Sequence, residues 1–400
     1  MGISNFIPKP IKQLRWKIHG YMRGNEGAIA KARPFPNSAG QLSDGLGTRK
    51  DLSRKFCSKP WEWFEVVSTG SVGVCCSDWL KKSIGNCLYS NDIMTIWNSP
   101  AAQEIRGSIQ DGSFRYCNQE ACHFIQNDTL PDKQNITDKR FRRILAEGIV
   151  IVEDFPMTIG LVYDESCNLR CPSCRQELLY FKEGARYEKA LKIHHTIESS
   201  LFSKPHDKHI ELYMTGSGDP FASPIFRDLL YSLNGADFPN LVINLVTNGV
   251  LFTRSWEKMK KLHHNIGNVI VSFDAATPET YAYTRRGGNW NQLLKNFEFM
   301  NELRRSGFIR KLEMDFVIQQ KNYREMADFI NLGKEYGNVD TVGFSLITNW
   351  GTYSPNEFKH HAIWRKDHPE FNDFLDILKD PIFDDPIVDL KNVKEYRARS

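Results

Sequence analysis

The sequence lacks long hydrophobic segments and carries little net charge. No apolar run approaches the roughly 18 residues of a membrane-spanning helix, and the N-terminus lacks the apolar core of a secretory signal peptide. A net charge of +4 over 400 residues gives no indication of a nucleic-acid partner. We therefore expect a globular, cytoplasmic protein without a transmembrane segment and without bound nucleic acid.

Cysteine is absent from the C-terminal half of the chain. All nine cysteines lie between Cys57 and Cys174. In the reducing cytoplasm, clustered cysteines bind metal more often than they form disulfides. The cysteine-containing half is therefore where we expect metal chemistry.

Residue patterns divide the chain into five predicted segments. They are a basic extension (1–54), a region rich in Cys and Trp (55–125), a polar linker (126–155), a region of alternating strands and helices (156–350), and a C-terminal extension (351–400) with one helix around Glu370–Leu378. In the basic extension, apolar residues are interleaved with Lys and Arg over Phe6–Ile18. This pattern predicts either a partly docked terminus or a weak peripheral contact with an anionic membrane.

The segment 55–125 has the pattern of a small α+β domain. Glu62–Val67 alternates in polarity before a turn, and Val72–Val74 follows the turn, which predicts a β-hairpin. Apolar residues at helical spacing predict one helix over Asn91–Ile109.

The segment 156–350 has the pattern of a parallel α/β fold. Six mostly continuous apolar runs predict buried parallel strands at Met157–Tyr163, His209–Met214, Leu241–Thr247, Val269–Phe273, Lys311–Ile318 and Thr341–Ile347. Helical patterns between them include Tyr187–Leu201, Ile225–Leu233, Trp290–Arg305 and Tyr323–Tyr336. Six strand–helix units in about 200 residues fit an open, partial barrel better than a full eight-stranded one.

Polar motifs follow four of the predicted strands. The cysteine triplet, Thr215–Pro220, Thr247–Gly249 and Asp274–Thr277 each begin where a strand candidate ends. Ligands collect at the carboxyl ends of parallel strands. We therefore expect these four motifs to form one site.

The cysteine triplet, Cys167-Asn-Leu-Arg-Cys171-Pro-Ser-Cys174, has the spacing C-x3-C-x2-C. Three thiolates on one tight loop suit three irons of a 4Fe–4S cluster, whose fourth iron then stays open to a small molecule. Zinc is the alternative metal and requires a fourth ligand, for which His194 and His195 are candidates.

The stretch Tyr163-Asp-Glu-Ser-Cys-Asn-Leu-Arg-Cys-Pro-Ser-Cys-Arg resembles the defining motif of the radical S-adenosylmethionine (SAM) superfamily. The resemblance extends over about 156–347 and implies a partial (β/α)6 radical SAM barrel of the α/β class. It also implies that the three cysteines hold a 4Fe–4S cluster with exchangeable SAM. The loop Gly216-Ser217-Gly218-Asp219-Pro220 looks like the family's glycine-rich loop, which binds the amino group of SAM. Asp219 stands where glutamate is usual, so a carboxylate is kept.

Further site residues are implied by the same resemblance. The segment Val271–Tyr281 is similar to the family's fourth-strand segment, in which Ser272 and Asp274 would contact the ribose and carboxylate of SAM. Arg285 is a candidate clamp for the SAM carboxylate, with a solvated arginine as the alternative. Asn248 is either a ligand contact or part of an ordinary Asn-Gly turn. Ser173 departs from the aromatic residue that many relatives carry before the third cysteine.

Lys55-Phe-Cys57-Ser-Lys-Pro-Trp61 is followed by Gly70-Ser-Val-Gly-Val-Cys75-Cys76-Ser-Asp and by Cys117-x4-Cys122. This arrangement within the segment 55–125 resembles the SPASM domain, which usually follows a radical SAM barrel and carries an auxiliary iron–sulfur cluster. Here the segment precedes the barrel. The resemblance implies an auxiliary 4Fe–4S cluster on Cys57, Cys75, Cys117 and Cys122. A zinc site on the same four residues is the alternative. Cys76 is an alternative to Cys75 as a ligand, and Cys76 and Cys87 are the two candidate hydrogen donors.

The two resemblances imply a radical SAM enzyme that reductively cleaves SAM to a 5′-deoxyadenosyl radical, which abstracts hydrogen from a substrate. A reducing partner such as flavodoxin or ferredoxin is expected. The expected reaction is oxidation, epimerisation or bond formation, of oxidoreductase or epimerase type, on a sugar or other small molecule. A ribosomally made peptide is the alternative substrate. A zinc-stabilised, non-catalytic binding protein is the alternative of another class.

Overall fold

One ten-stranded sheet runs through the part of the chain that the computed structural model describes, which is residues 50–77 and 79–397. The strands are β1 (Trp63–Val67), β2 (Ser71–Gly73), β3 (Gly85–Asn86), β4 (Thr158–Val162), β5 (Ile210–Met214), β6 (Leu241–Thr247), β7 (Ile266–Ser272), β8 (Lys311–Ile318), β9 (Thr341–Leu346) and β10 (Val388–Asp389). The segment Phe6–Ile18, with its predicted membrane contact, lies outside the described residues.

Thirteen α-helices accompany the sheet within the described residues. They are α1 (Ile93–Trp97), α2 (Pro100–Gln110), α3 (His123–Gln126), α4 (Lys139–Glu147), α5 (Ala185–Leu201), α6 (Pro224–Ser232), α7 (Phe252–Trp256), α8 (Pro278–Thr284), α9 (Trp290–Arg305), α10 (Met326–Tyr336), α11 (Pro355–His361), α12 (Phe371–Leu378) and α13 (Lys394–Arg397). None of these helices is both long and apolar enough to cross a membrane.

Strands β4 to β9 pair in parallel and in chain order, so the predicted α/β fold with six strand–helix units is confirmed. Strands β6 and β8 have the predicted bounds, whereas β7 begins three residues earlier than predicted. The earlier start is possible because the ladder between β6 and β7 is irregular. The Asn244 side chain bridges this irregularity by accepting a hydrogen bond from the Asn268 amide at 2.8 Å.

The sheet has a fully apolar face and a more polar face. Alternate strand residues such as Ile159, Leu212 and Phe316 are completely buried in the main core. The residues between them, including Glu211 and Asp315, are only partly buried. Period-two alternation of this kind places the two sets on opposite faces of the sheet. Apart from the start of β7, the predicted strands are correct in position. Their partly buried polar residues face the barrel interior, and their fully buried apolar residues face the helices outside.

The cysteine-rich segment is joined to the barrel through the sheet itself. Strand β1 pairs in parallel with β4 over five residue pairs, and the predicted hairpin forms because β2 pairs antiparallel with β1. At the opposite edge, β10 pairs in parallel with β9. The cysteine-rich segment and the C-terminal extension therefore each add one parallel strand, at opposite edges of the six barrel strands.

The single helix predicted over Asn91–Ile109 is wrong. The structure has two helices, α1 and α2, because the chain turns at Asn98 and Ser99. The Asp92 side chain caps α1, and the Ser99 hydroxyl accepts from the Ala102 amide ahead of Pro100, the first residue of α2. A serine followed by proline favours a new helix start over continuation.

The segment 126–155 is more ordered than the predicted linker. It contains α4, whose Arg140 guanidinium donates to the Trp61 carbonyl oxygen at 2.7 Å. The buried Arg106 of α2 donates to the Val150 carbonyl oxygen, also at 2.7 Å. The C-terminal extension likewise contains α11 and α13 in addition to the predicted helix. The domain boundaries themselves stay predictions.

Candidate active site

Loops that follow β4, β5, β6 and β7 converge on one cavity of about 110 Å³. Its lining includes most of the predicted site residues: Cys167, Cys171, Cys174, Gly216, Ser217, Gly218, Asn248, Ser272 and Arg285. Arg175 also lines the cavity, although the sequence analysis did not select it. The predicted contacts Asp219 and Asp274 are not in the lining, because both carboxylates face the surrounding protein.

The cysteine loop follows β4 and is held by backbone hydrogen bonds to two other segments. The Arg170 amide donates to the Arg286 carbonyl oxygen at 3.0 Å, and the Cys167 amide donates to the Leu179 carbonyl oxygen at 2.8 Å. Cys167 and Cys171 are buried around Leu169. Burial raises the pKa of the Cys167 thiol to about 12. A thiol in this environment needs a positive partner, such as iron, to become a thiolate ligand.

Each of the three sulfurs has one side-chain N–H donor. Arg175 Nη2 lies 3.3 Å from Cys174 Sγ, Asn248 Nδ2 lies 3.8 Å from Cys167 Sγ, and Arg285 Nη1 lies 3.9 Å from Cys171 Sγ. Donors of this kind stabilise negative charge on sulfur. The donor set therefore fits three thiolates that carry an anionic cluster.

The histidines considered as zinc ligands do not join this loop. The ring Nδ1 of His194 lies 2.8 Å from the Tyr163 hydroxyl, and burial lowers the pKa of His194 to about 4. His195 is largely exposed on the same helix. Within residues 50–77 and 79–397, no three His, Cys, Asp or Glu side chains are grouped to hold a single metal ion. A cubane places each thiolate on a different iron, so its ligands do not converge on one point.

The glycine-rich loop after β5 begins with a strained backbone at Thr215, and its two glycines have different surroundings. Thr215 has φ +66°, an uncommon value for a β-branched residue. A Cβ on Gly218 would lie 2.5 Å from the Ser166 carbonyl oxygen, whereas a Cβ on Gly216 would meet no atom within 4 Å. Gly218 is therefore required for packing against the cysteine loop, and Gly216 leaves open space where a ligand would fit.

Asp219 connects the loops after β5 and β6 and does not face the cavity. Its carboxylate accepts hydrogen bonds from the Thr247 hydroxyl at 2.7 Å, the Asn248 amide at 2.9 Å and the Phe221 amide at 3.0 Å. Burial raises the pKa of Asp219, although these hydrogen bonds oppose the shift. Three protein donors already bind the Asp219 carboxylate. Direct binding of SAM by Asp219 stays a prediction.

Asp274 holds the candidate carboxylate clamp. It has φ +56°, accepts from the Val317 amide at 2.7 Å and pairs with Arg285 at 2.8 Å. Although burial opposes charge, the neighbouring Asp274 and the Cys171 thiol raise the pKa of Arg285, so the guanidinium stays charged. Arg285 Nε is buried without a hydrogen-bond partner among the described residues. This orphaned donor at the cavity fits an anionic group such as a carboxylate.

Two residues next to the cysteine motif escaped the sequence analysis. Arg175 directly follows Cys174 in the sequence, and no role was predicted for it. Asp164, before the motif, accepts from the Ser166 amide at 2.9 Å and the Ser223 hydroxyl at 2.6 Å. Their adjacency to the cysteines was the available signal, but only the fold shows that both are buried.

The four predicted auxiliary ligands lie near one another. The pKa of the Cys75 thiol is raised well above its usual value by burial and then by the Cys57 and Cys117 thiols, with smaller effects from Cys76 and Cys122. Cys57 precedes β1, and Cys75 follows the antiparallel β2, so both lie at the amino end of β1. The cysteine loop with Cys167, Cys171 and Cys174 lies instead at the carboxyl end of the neighbouring β4. The choice of ligands stays a prediction.

Cys87 does not belong to either group. It is fully buried, its carbonyl oxygen accepts from the Thr196 hydroxyl of α5, and burial raises the pKa of its thiol to about 12. Its backbone amide pairs with the Gly70 carbonyl oxygen at 2.8 Å. A thiol packed under α5 does not face the cavity, and a hydrogen-donor role for Cys87 is therefore unsupported.

Comparison with known proteins gives two family matches. Residues 57–123 match the SPASM iron–sulfur cluster-binding domain, and residues 164–333 match the radical SAM superfamily. The chain is 27% identical over 229 residues to a GTP 3′,8-cyclase of Limosilactobacillus fermentum, covering 56% of this chain and 62% of that protein. The match therefore spans less than two thirds of the length of this curated relative.

Two solved structures are also similar to the chain at low sequence identity. The structure of TYW1 with a lysine-pyruvate adduct bound has 15% identity, covers 55% of this chain and 70% of its own, and has a TM-score of 0.34. The radical SAM methyltransferase TsrM from Kitasatospora setae, solved with tryptophan and aza-SAM, has 14% identity, covers 45% and 34%, and has a TM-score of 0.30. These TM-scores are too low for any feature of either structure to be transferred.

The two family matches imply a 4Fe–4S cluster with SAM and an auxiliary iron–sulfur cluster. The residues around the cavity fit such groups, since three sulfurs with N–H donors adjoin an open glycine and an orphaned guanidinium N–H. The resemblance noted in the sequence is therefore confirmed: the chain belongs to the radical SAM superfamily and carries a SPASM-type iron–sulfur domain ahead of its barrel.

Proposed function

We propose that the protein is an enzyme that cleaves SAM reductively and abstracts hydrogen from a polar small molecule inside the barrel. The observation that carries the proposal is the convergence of Cys167, Cys171 and Cys174 with Gly216 and Arg285 on one cavity. When bound, the cluster and SAM supply one-electron cleavage of the sulfonium and hydrogen abstraction. A one-electron donor such as flavodoxin or ferredoxin completes the proposal.

The residues of the chain would bind and orient SAM. Gly216 and Gly218 allow the backbone to approach it, and Arg285, held by Asp274, would clamp its carboxylate. Ser272 and Asn248 line the same cavity and would meet its polar groups. Asp219 would act through position, because it keeps the loops after β5 and β6 together. Deep placement at the strand ends would exclude water from the reacting atoms.

The inner face of the barrel favours an uncharged or cationic substrate. Tyr213 lies against Trp63 with ring centroids 5.7 Å apart, and burial together with Glu211 and Glu313 raises the pKa of Tyr213. Glu313 is on β8, three strands from β5, so these side chains share one interior. Two aromatic rings and several carboxylates suit a sugar or an amine, which present apolar faces, hydroxyls or positive charge.

The same lining disfavours transfer of the activity named for the bacterial relative, a GTP 3′,8-cyclase. A triphosphate requires lysine or arginine partners. On the inner face, Lys391 is already paired with Asp315 at 2.5 Å, and Glu313 lies near both. We therefore propose a substrate other than a nucleoside triphosphate. The proposed reaction on it is oxidation, epimerisation or bond formation.

A peptide is the second candidate substrate, favoured by apolar side chains beside the cysteine loop. Leu178 is 58% exposed and Tyr180 is 48% exposed, both on the chain that leaves the loop. Exposed apolar side chains grouped near a site favour a larger partner. SAM cleavage stimulated by peptides but not by neutral or amino sugars would support this candidate over the first.

The test is metal analysis combined with SAM cleavage. Anaerobically reconstituted protein is expected to carry about eight irons, in two cubanes, and to release 5′-deoxyadenosine and methionine with dithionite. Simultaneous Cys167→Ala, Cys171→Ala and Cys174→Ala is expected to remove about half of the iron and all SAM cleavage. Zinc without iron in the parent would instead favour a binding protein, and full cleavage in the triple variant would overturn the proposal.

A further inference from the structure

We propose that Arg175 is a positioning residue that sets the reduction potential of the cluster at Cys167, Cys171 and Cys174. Its guanidinium Nη2 lies 3.3 Å from Cys174 Sγ, the shortest of the three side-chain N–H contacts to sulfur in the cavity. The inference rests on the proposed function for the presence of the cluster. It concerns a residue to which neither family match assigns a role.

Arg175 is placed by contacts to three segments. Nη1 donates to the Glu165 carbonyl oxygen at 2.6 Å, and Nη2 donates to the Ser217 carbonyl oxygen as well as to Cys174 Sγ. The residue is only 8% exposed. One guanidinium therefore joins the start of the cysteine loop, its last sulfur and the glycine-rich loop. This fork geometry is specific to arginine, because lysine offers one compact donor group.

The charge of Arg175 has no carboxylate among these partners. They are two carbonyl oxygens and one sulfur. Burying an uncompensated positive charge is costly, so the site requires nearby negative charge. Thiolates that ligate a cluster supply that negative charge. Among the three sulfurs, the guanidinium of Arg175 contacts the one of Cys174.

A buried guanidinium acts differently on the two oxidation states of the cluster. One-electron reduction, by dithionite or a protein donor, adds one negative charge to the cluster. The positive charge and the N–H···S contact stabilise the reduced form more than the oxidised form. The contact therefore raises the reduction potential and makes the electron transfer that precedes SAM cleavage easier.

Arg170 provides a matched control within the same loop. It is exposed, and its described contact to the protein is a backbone hydrogen bond to Arg286. Arg170→Gln and Arg175→Gln remove the same charge from the same loop. Solvent screens the exposed charge strongly and the buried one weakly. The two variants therefore separate a specific contact from a general change in charge.

The experiment is an anaerobic redox titration followed by electron paramagnetic resonance, with iron counted in every sample. The triple cysteine variant gives the signal of the auxiliary cluster for subtraction. Arg175→Gln is expected to keep its iron and to reduce the equilibrium constant for reduction about tenfold, which is a fall of about 59 mV for one electron. Arg170→Gln is expected to keep the parental potential, and Arg175→Lys is expected to lie between Arg175→Gln and the parent.

An unchanged potential in Arg175→Gln with full iron would overturn the inference and leave Arg175 as a structural link. Equal shifts in Arg170→Gln and Arg175→Gln would also overturn it. If Arg175→Gln does not retain the cluster, Arg175→Lys decides: recovered iron with a lowered potential supports the inference. Loss of iron in both variants, with native circular dichroism, assigns Arg175 to cluster assembly instead. Failure of the proposed function would appear separately, as no loss of iron in the triple cysteine variant.

Discussion

The carboxylate of Asp219 accepts a hydrogen bond from the Thr247 hydroxyl at 2.7 Å, which links the loops that follow two neighbouring barrel strands. The same oxygen accepts from the Asn248 amide at 2.9 Å. A residue chosen in the sequence for its charge toward SAM is therefore also a structural tie. The two roles predict different consequences of mutation.

Asp219→Ala is expected to lower the stability of the protein as well as its affinity for SAM. Removing a buried acceptor leaves donors unsatisfied, at a cost of about 1–3 kcal/mol. Chemical denaturation measures the stability change, and Asp207→Ala on an exposed loop serves as the control. If Asp219→Ala keeps the parental free energy of unfolding but loses SAM affinity tenfold or more, Asp219 contacts SAM directly and has no structural role.

Gly216→Ala and Gly218→Ala are expected to fail in different ways. An added Cβ at Gly218 would lie 2.5 Å from the Ser166 carbonyl oxygen, so this variant should lose roughly 1–3 kcal/mol of stability through overpacking. At Gly216 the added Cβ meets no protein atom within 4 Å, so melting should be near parental. SAM binding, measured by equilibrium dialysis, should nonetheless weaken. Unchanged SAM affinity in Gly216→Ala would show that the open space is not used.

Cys117→Ala is expected to remove the auxiliary cluster and to keep SAM cleavage. The auxiliary cysteines lie at the amino end of β1 and the radical cluster at the carboxyl end of β4, and five strand residues span about 16 Å. Iron should fall from about eight to about four per chain. Cys87→Ala, outside both groups, should keep all of it. If the auxiliary cluster is an electron acceptor, Cys117→Ala should also lose product while remaining soluble. Normal product would exclude that role.

The stability of the protein is expected to fall between pH 7 and pH 5 because of His194. Burial lowers the pKa of His194 to about 4, so the folded state binds fewer protons than the unfolded state over this range. Stability therefore decreases as pH falls, by about 2 kcal/mol at pH 5. Glu198 lies 3.8 Å away but is 44% exposed and compensates little.

The measurement is urea unfolding at both pH values in the parent, His194→Asn and the exposed control His195→Asn. The parent should show the full fall in stability, and His195→Asn should show most of it, because His195 lowers the pKa of His194 only as a second cause after burial. His194→Asn should show most of it removed, at the expense of the hydrogen bond to Tyr163. The same pH dependence in all three proteins would assign the effect to other groups.

The sequence by itself determined the positions of the six barrel strands along the chain and the two families, and it predicted a site at the carboxyl ends of those strands. Apolar runs such as Leu241–Thr247 can only be buried, so their bounds were visible without the fold. Because the ends of β4 and β5 could be predicted in this way, the cysteine motif and the glycine-rich loop could be placed directly after them. The serine–proline pair at Ser99 and Pro100 indicates a new helix start. The apolar spacing over Asn91–Ile109 nevertheless led to the prediction of one continuous helix.

Tertiary structure alone decided which way the polar side chains face. Asp219 turns from the cavity because donors at the end of the neighbouring strand, Thr247 and Asn248, which lie 28 and 29 residues later in the chain, meet it there. Arg175 turns toward Cys174 because the Glu165 and Ser217 carbonyl oxygens hold its guanidinium. The pairing of β1 with β4 joins segments about ninety residues apart, which local patterns do not specify. Long-range contacts of this kind depend on the whole fold, whereas strand positions depend on a few neighbouring residues.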